Sequence, residues 1–235
     1  MRLDPQLWLF VPPRRRRARF TAAHDPTATL GHVVESVGVP LTEVGELRLD
    51  GRPAGPDLMS GAGAVVEVRP ARRPQEVPGW AGGFLLDVHL GALARRLRVV
   101  GVDAAYRNDA DDDELVTWAG AQRRVLLTQD RGLLKRRALW AGAHVRGSRA
   151  DGQLADVLDR FAPPLRPWSR CTACNGELVA VAKHEVEDRL EPGTRRRYDR
   201  FARCPSCGRI YWHGAHGRRL DAMVAGALRN DERHP

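Results

Sequence analysis

Two Cys-x-x-Cys pairs constrain the fold of this sequence more than any other feature. The pairs use all four cysteines of the 235-residue chain, namely Cys171, Cys174, Cys204 and Cys207. Cysteine pairs at this spacing bind Zn²⁺ tetrahedrally as thiolates, and four thiolates leave no open position for a substrate. The sequence therefore predicts a zinc ribbon with a structural ion. His213 and His216 are near enough to be substitute ligands, but the cysteines already complete the shell.

The net charge of +9 is compatible with a nucleic-acid partner. Residues 166–235 hold much of the excess, with 14 basic and nine acidic side chains. The insert between the cysteine pairs carries Arg195, Arg196 and Arg197, which favours a β-hairpin with a basic tip. Tyr211 and Trp212 follow the last cysteine and are expected either to pack beneath the metal site or to stack on an unpaired base.

Prolines divide the chain into regions of different pattern. They cluster between residues 70 and 80 and again between 163 and 167. The predicted parts are a first domain over 1–70, a linker over 71–80, a second domain over 81–165 and the zinc ribbon over 166–235. No window approaches 18 uninterrupted apolar residues, so we expect no membrane span. Cys-x-x-Cys pairs used as metal ligands favour a cytoplasmic protein.

Residues 1–70 have the pattern of a β-grasp, or ubiquitin-like, domain. Leu7–Val11 is predicted as a strand, and a helix is predicted from its N-cap Thr29 to Val37. Strands are then expected at Leu47–Leu49 and Val65–Val68. A sulfur-carrier role would need a free C-terminal Gly-Gly, whereas this chain continues into another domain. We therefore expect an accessory module, with a protein partner as one use.

Residues 81–165 alternate strands and helices. Phe84–Leu86 and Val125–Leu127 are short apolar runs typical of buried strands. Helices are predicted over His89–Val100, where Arg95, Arg96 and Arg98 fall largely off the apolar face, and over Asp113–Ala121; a further helix carries Leu133 and Leu134. This order predicts a parallel sheet with flanking helices, whose functional groups gather at the carboxyl ends of the strands.

Carboxylates stand at those strand ends. Asp87 and Asp130 follow the two apolar runs, and Asp109–Glu114 is an acidic segment at a helix start. Aspartates from separate segments can hold two Mg²⁺ or Mn²⁺ ions that promote hydrolysis of a phosphodiester. Thr128 is placed to hydrogen-bond a ligand carboxylate or to orient water. The alternatives are an ordinary turn residue at Asp130 and a solvated helix cap at Asp109–Glu114.

A longer pattern makes the likeness specific. The segment FLLDVHLGALARRLRVVGVDAAYRNDADDDELVTWAGAQRRVLLTQDRGLLKRR resembles the Mut-seven C-terminal ribonuclease family, a group of PIN-like nucleases. The likeness continues through RCTACNGEL and YDRFARCPSCGRIYWHGAH, and the preceding region resembles a ubiquitin-like β-grasp domain. It extends over about residues 20–225.

The resemblance implies a Mg²⁺- or Mn²⁺-dependent endoribonuclease of PIN-like α/β fold. Carried over by position, Asp87, Asp112 and Asp130 are the catalytic ligands, with Asp113 as the alternative at the helix start. PIN nucleases commonly use a fourth acid, for which Asp103 or Asp151 are the candidates here. The arginines that flank these acids are candidates for phosphate contacts: Arg95, Arg96, Arg107, Arg123 and Arg131. The other function in view is a non-catalytic RNA-binding or adaptor protein that keeps a degenerate PIN-like domain.

Overall fold

The computed structural model describes residues 1–25, 27–212 and 225, and contains three sheets within them. His213 and His216 therefore lie outside the described residues. The first sheet belongs to the N-terminal domain, the second to the α/β domain and the third to the cysteine-bearing region. No described helix combines the length and the apolar character needed to span a membrane.

The N-terminal sheet has the order β1-β4-β2-β3. Its strands and the helix that packs against them are β1 Arg2–Leu3, α1 Leu30–Ser36, β2 Val44–Leu49, β3 Arg52–Pro53 and β4 Val66–Pro70. The first strand pairs in parallel with the last, and β2 pairs with β4 antiparallel. Thr29 caps α1 as predicted, because its side chain accepts a hydrogen bond from the amide of His32. The predicted ubiquitin-like arrangement is confirmed.

One predicted strand of this domain is wrong. Leu7–Val11 is expected as a strand, but Pro5–Phe10 forms a 3-10 helix. Pro5 occupies its first turn, and the Asp4 side chain accepts a hydrogen bond from the amide of Gln6, which favours a helical start over an extended chain. Leu7 and Phe10 then point into the core of the domain.

The α/β domain holds a four-stranded parallel sheet of order β6-β5-β7-β8. Its strands are β5 Phe84–Leu86, β6 Ala104–Tyr106, β7 Val125–Thr128 and β8 Gly142–His144. Its helices are α2 Gly91–Val99, α3 Asp112–Ala121 and α4 Ala150–Phe161, with 3-10 turns at Val88–Leu90 and Leu133–Lys135. The predicted parallel sheet is confirmed, although the expected helix at Leu133 and Leu134 is only a single 3-10 turn.

Helices cover both faces of this sheet. Phe84 and Leu86 of β5 face the core that contains α2 and α4, while Leu85 between them faces the core that contains α3. Because successive strand residues point to opposite faces, the three-residue apolar run fills both cores. With both faces covered, functional groups are expected at the strand ends, and Asp87 follows β5 at the carboxyl end of the sheet, here called its carboxyl edge.

The C-terminal region builds an antiparallel sheet of order β11-β10-β9 beside the cysteines. Its strands are β9 Val179–Val181, β10 Phe201–Arg203 and β11 Ile210–Trp212. The insert between β9 and β10 is not the simple hairpin that the sequence suggests, because it contains two 3-10 turns and α5 Pro192–Arg197. Its three arginines nevertheless lie exposed on this short helix, as the predicted basic tip requires.

Candidate active site and cysteine metal site

Asp87 is held in the interior at the carboxyl edge of the parallel sheet. Its side chain is 6% exposed, and its amide donates to the carbonyl oxygen of Leu127 on the neighbouring strand. The Thr128 hydroxyl donates to Oδ2 of Asp87 at 2.5 Å. In the described part of the chain no basic side chain forms an ion pair with Asp87. A carboxylate that is buried without a cationic partner is costly, so this position favours a bound cation.

Thr128 joins Asp87 to Asp130. Its side chain is fully buried, and its Oγ1 also accepts a hydrogen bond from the amide of Asp130 at 2.9 Å. Oδ1 of Asp130 accepts from the amides of Gly132 and Leu133 at 2.6 and 3.3 Å. Asp130 is therefore an exposed turn-capping residue at the same edge as Asp87. Thr128 therefore hydrogen-bonds the Asp87 carboxylate, while the role of that carboxylate as a metal ligand stays a prediction.

The three aspartates at the start of α3 have different surroundings. Asp111 is the N-cap, and it forms a reciprocal capping box with Glu114. Asp113 pairs with Arg136 in a close contact. Asp112 is exposed and has no ion-pair partner among the described residues. Of the three, Asp112 is thus the one whose carboxylate has no partner among the described residues. It lies at the junction between α3 and the loop that follows β6.

These carboxylates do not form a compact cluster. Within residues 1–25 and 27–212 the only group of three or more ligand atoms that lie within 4.8 Å of one another is the four cysteines. Asp87, Asp112 and Asp130 therefore share an edge of the sheet without meeting at one point. In a site for two ions about 3.5–4 Å apart, the ligands of different ions need not approach so closely. The oxygen donors are also the type that Mg²⁺ and Mn²⁺ prefer.

Neither candidate for a fourth acidic ligand offers an unpaired carboxylate at the carboxyl edge of the sheet. Asp103 precedes β6 and lies at the amino end of the sheet, where it pairs with Arg124 and accepts from Asn175. Burial raises the pKa of Asp103, but these hydrogen bonds outweigh it and hold the pKa below its usual value. The proposal of Asp103 as a ligand is wrong, because it stands at the opposite end of the strands. Asp151, in the first turn of α4, is paired with Arg96.

Most of the flanking arginines already have partners. Arg131 donates to the carbonyl oxygens of Leu9 and Phe10 in the N-terminal domain. Arg107 pairs with Asp109 and Glu114, and Arg123 lies over the Trp140 ring. Arg131 is therefore a contact between domains, whereas the sequence suggests a phosphate contact there.

The four cysteines fit a tetrahedral ion. Sγ of Cys171 lies 3.6 Å from Sγ of Cys207, and Sγ of Cys174 lies 3.4 Å from Sγ of Cys204. Tetrahedral Zn–S bonds of about 2.3 Å would place the sulfurs about 3.8 Å apart. Burial and the neighbouring thiols raise the pKa of Cys174 to about 12, whereas hydrogen bonds from Tyr211 and from backbone amides outweigh burial and lower the pKa of Cys171 to about 6. Four thiols at this separation thus need a cation to ionise together, and the site could bind zinc.

Both cysteine pairs have the same backbone turn. The Cys171 amide donates to the carbonyl oxygen of Gly176, and the Cys204 amide donates to that of Arg209. Asn175 and Gly208, each directly after the second cysteine of a pair, adopt φ values of 72° and 71°. This left-handed conformation suits glycine and asparagine, and so the sequence encodes both turns locally.

Of the two aromatic residues after the cysteines, Tyr211 packs against the site. Its hydroxyl lies 3.0 Å from Sγ of Cys171. Trp212 is 39% exposed and lies beside Phe201, with ring centroids 6.4 Å apart. The packing expectation is thus met by Tyr211, while Trp212 keeps an exposed ring.

The first cysteine turn is anchored to the α/β domain by a buried arginine of α2. Arg98 of α2 is expected off the apolar face of its helix, yet it is 3% exposed. Its guanidinium donates to the carbonyl oxygens of Thr172 and Ala173 in that turn and to Ala104 at the start of β6. The turn therefore docks at the amino end of the sheet, away from the edge that carries Asp87.

The fold and the two sites define a three-part α/β protein. A parallel sheet with aspartates at its carboxyl edge lies in sequence between a ubiquitin-like domain and a four-cysteine site. The chain belongs to the Mut7-C RNAse domain family, whose model matches residues 82–224. Residues 1–76 match a second family model, described as Mut7-C ubiquitin. Comparisons with curated proteins and with solved structures find no match.

The family matches bear on several predictions at once. They confirm the predicted family and its ubiquitin-like domain, and they indicate a ribonuclease. The four-part division at residues 70, 80 and 165 stays a prediction, as does the cytoplasmic location.

Proposed function

We propose that this protein is an endoribonuclease that depends on Mg²⁺ or Mn²⁺. The observation that carries the proposal is the environment of Asp87, a carboxylate 6% exposed at the carboxyl edge of a parallel sheet, with a hydroxyl donor and no ion-pair partner among the described residues. The other buried carboxylate among the described residues, Glu43, is paired with an arginine instead. The RNAse domain match supports RNA as the substrate.

Three aspartates would hold the ions. Asp87 is the buried ligand, and Asp112 and Asp130 complete the set from the helix start and from the turn after β7. Asp112 is preferred over its neighbours because Asp111 caps the helix and Asp113 is paired with an arginine. When bound, Mg²⁺ or Mn²⁺ would offset charge on the phosphate and activate water.

The chain itself supplies orientation. The Thr128 hydroxyl fixes the rotamer of Asp87 and, by accepting from the amide of Asp130, sets the turn that carries the third acid. Two amides hold Oδ1 of Asp130, which leaves Oδ2 to face a ligand. Asp87 and Asp130 are thereby positioned before substrate arrives, which reduces the cost of ordering them at the reaction.

The cysteine site would hold a structural zinc ion that supports RNA binding. Four thiolates close the coordination shell, so the ion has no catalytic position. The same region carries exposed Arg195, Arg196 and Arg197 as well as the exposed ring of Trp212, which are suited to contacts with phosphates and unpaired bases.

A non-catalytic RNA-binding or adaptor function is the second candidate. It is favoured by the absence of a compact carboxylate cluster among the described residues and by the turn-capping role of Asp130. In that case the acids at the sheet edge would serve the fold alone, and the protein would bind RNA without cutting it.

Cleavage of a mixed-structure RNA distinguishes the two. We expect zinc-loaded wild type to cut the RNA with added Mn²⁺ or Mg²⁺ and not without it, and Asp87→Asn and Asp130→Asn to lose cutting while still binding RNA. Asp57→Asn makes the same chemical change at an exposed carboxylate of the N-terminal domain and should cut normally. Wild type that binds but never cuts would favour the adaptor, whereas acid variants that cut as well as wild type would refute the assignment of these aspartates.

A further inference from the structure

A run of arginines follows the first 3-10 helix of the ubiquitin-like domain. It comprises Arg14, Arg15, Arg16, Arg17 and Arg19, here called the arginine run. All are exposed except Arg15, which is half-buried with its guanidinium over the Phe20 ring. None of the five pairs with a carboxylate among the described residues.

Other arginines of the same domain are neutralised. Arg2 pairs with Glu67, and both Arg48 and Arg69 pair with Glu46. Three of the four arginines on the sheet strands are thus paired, with Arg52 the exception among the described residues, whereas all five arginines of the run lack a carboxylate partner. An uncompensated cluster of this density repels itself, so a polyanion would stabilise it.

The run borders a cleft. A cavity of about 550 Å³ is lined by Arg17, Arg19 and His24 together with backbone and apolar groups around Phe20 and Val65. No acidic side chain lies among its lining residues. A cleft of this size with cationic walls is suited to a phosphate-bearing ligand.

The arginine run is also connected to the proposed catalytic edge. Arg16 donates to the carbonyl oxygen of Val11, and the adjacent Phe10 accepts from Arg131. Arg131 directly follows Asp130. Arg14 is four residues along the chain from Phe10, a reach of at most about 14 Å. A single strand lying on the arginine run could therefore continue to the edge that carries Asp87.

We propose that the arginine run and its cleft bind the phosphate backbone of single-stranded RNA and guide the strand to the acidic edge. This inference rests on the proposed function for its ligand. Guanidinium groups bind phosphate oxygens bidentately, and unpaired arginines gain most from such contacts because no internal ion pair must be broken. The ubiquitin-like domain is then a substrate-binding module.

Binding of a fluorescent 20-nucleotide single-stranded RNA tests the proposal. It is measured on the full zinc-loaded chain without Mg²⁺ or Mn²⁺, at several salt concentrations. The test variant is Arg14→Gln/Arg17→Gln/Arg19→Gln, since these side chains form no hydrogen bond or ion pair with any described residue. The control is Arg2→Gln/Arg48→Gln/Arg69→Gln, which removes the same charge from the same domain.

The expected effect follows from counterion release. Each phosphate contact contributes about 0.7 to the slope of log affinity against log salt for a single strand, so three lost contacts lower the slope by about 2. At 0.1 M salt the corresponding loss of affinity is about 100-fold. The control variant should keep the wild-type slope and lose much less affinity.

Three results would overturn the proposal. The first is an equal loss of RNA affinity in the test and control variants. The second is wild-type affinity in the test variant, with a loss only in Arg195→Gln/Arg196→Gln/Arg197→Gln. The third is competition by polyglutamate as strong as that by RNA of equal charge. The first would indicate net charge, the second binding at the cysteine region and the third an acidic protein partner. Because RNA binding is measured without catalytic ions, this proposal and the proposed nuclease activity can fail separately. If the wild type does not cut RNA but the binding results are as expected, the arginine run is still supported. If the wild type cuts RNA and the test variant binds it normally, only the proposal for the arginine run is refuted.

Discussion

A buried ion pair joins the ubiquitin-like domain to the α/β domain. Glu43, at the end of the 3-10 helix Leu41–Glu43, and Arg160 of α4 have side chains that are each 3% exposed. Nη1 of Arg160 donates to both carboxylate oxygens at 3.0 and 2.8 Å. Oε1 of Glu43 also accepts from the amide of His144. We predict that removing one charge of this pair strongly destabilises the protein.

The magnitude follows from burial. Breaking a buried pair leaves one charge without a partner, at a cost of about 3–5 kcal/mol. Glu43→Gln isolates this effect, since its amide oxygen can still accept from His144. Arg160→Met leaves the carboxylate unpaired and should cost a similar amount. The double variant should cost less than the sum of the two, because it removes both charges.

Urea unfolding followed by circular dichroism measures the effect. We expect the urea midpoint to fall in each single variant. If the pair couples the two domains in the wild type, its loss should also let the domains unfold in separate transitions. Glu67→Gln, which breaks the exposed pair with Arg2, is the matched control and should cost less than about 1 kcal/mol. A loss in Glu43→Gln no larger than in this control would refute the reasoning.

Further predictions concern the cysteine site, the hydroxyl at the acidic edge and the domain interface. Purified protein should hold one zinc ion per chain, and Cys204→Ser should lose it. The same variant should lower the thermal midpoint of the α/β domain, because the carbonyl partners of buried Arg98 lie in the turn of the first cysteine pair. An unchanged midpoint of the α/β domain would contradict this. Thr128→Val should reduce kcat and lower the free energy of unfolding by about 1–3 kcal/mol, because the hydroxyl that donates to the Asp87 carboxylate is lost. Thr128→Ser keeps a hydroxyl and should keep both near their wild-type values. Equal rates in the two variants would refute the orienting role. Burial lowers the pKa of His144 below its ordinary 6.5, and Arg131 adds to this although Glu43 opposes it. The unfolded chain therefore takes up a proton below about pH 6.5 that the folded chain does not. The free energy of unfolding should decrease as the pH is lowered through that range, and it should decrease less in His144→Gln.

The sequence predicts the elements that rest on long or strongly patterned signals. Phe84–Leu86 and the run that begins at Val125 are apolar, and each is followed by the aspartate that matters at the edge. The cysteine spacing predicts the metal site directly. The helix over Ala150–Phe161 was missed although Leu154, Val157 and Phe161 carry a helical period that would have revealed it.

Other features have no local signal. Strands of two or three residues, such as Ala104–Tyr106, form because a neighbouring strand supplies hydrogen bonds. The pairing of Glu43 with Arg160, and the burial of Arg98 beneath the cysteine turn, depend on contacts between distant segments. Asp103 was misassigned for the same reason, since only the strand register shows which end of the sheet it occupies.

Binding of Mn²⁺ to the zinc-loaded protein tests the proposed carboxylate site most directly. Free Mn²⁺ can be followed by electron paramagnetic resonance in wild type, Asp87→Asn and the control Asp57→Asn, without any RNA. If Asp87 is a ligand, wild type and Asp57→Asn should bind Mn²⁺ and Asp87→Asn should bind it much more weakly. Wild type that binds no Mn²⁺ at millimolar concentration, or equal binding by Asp87→Asn, would contradict the metal-dependent mechanism.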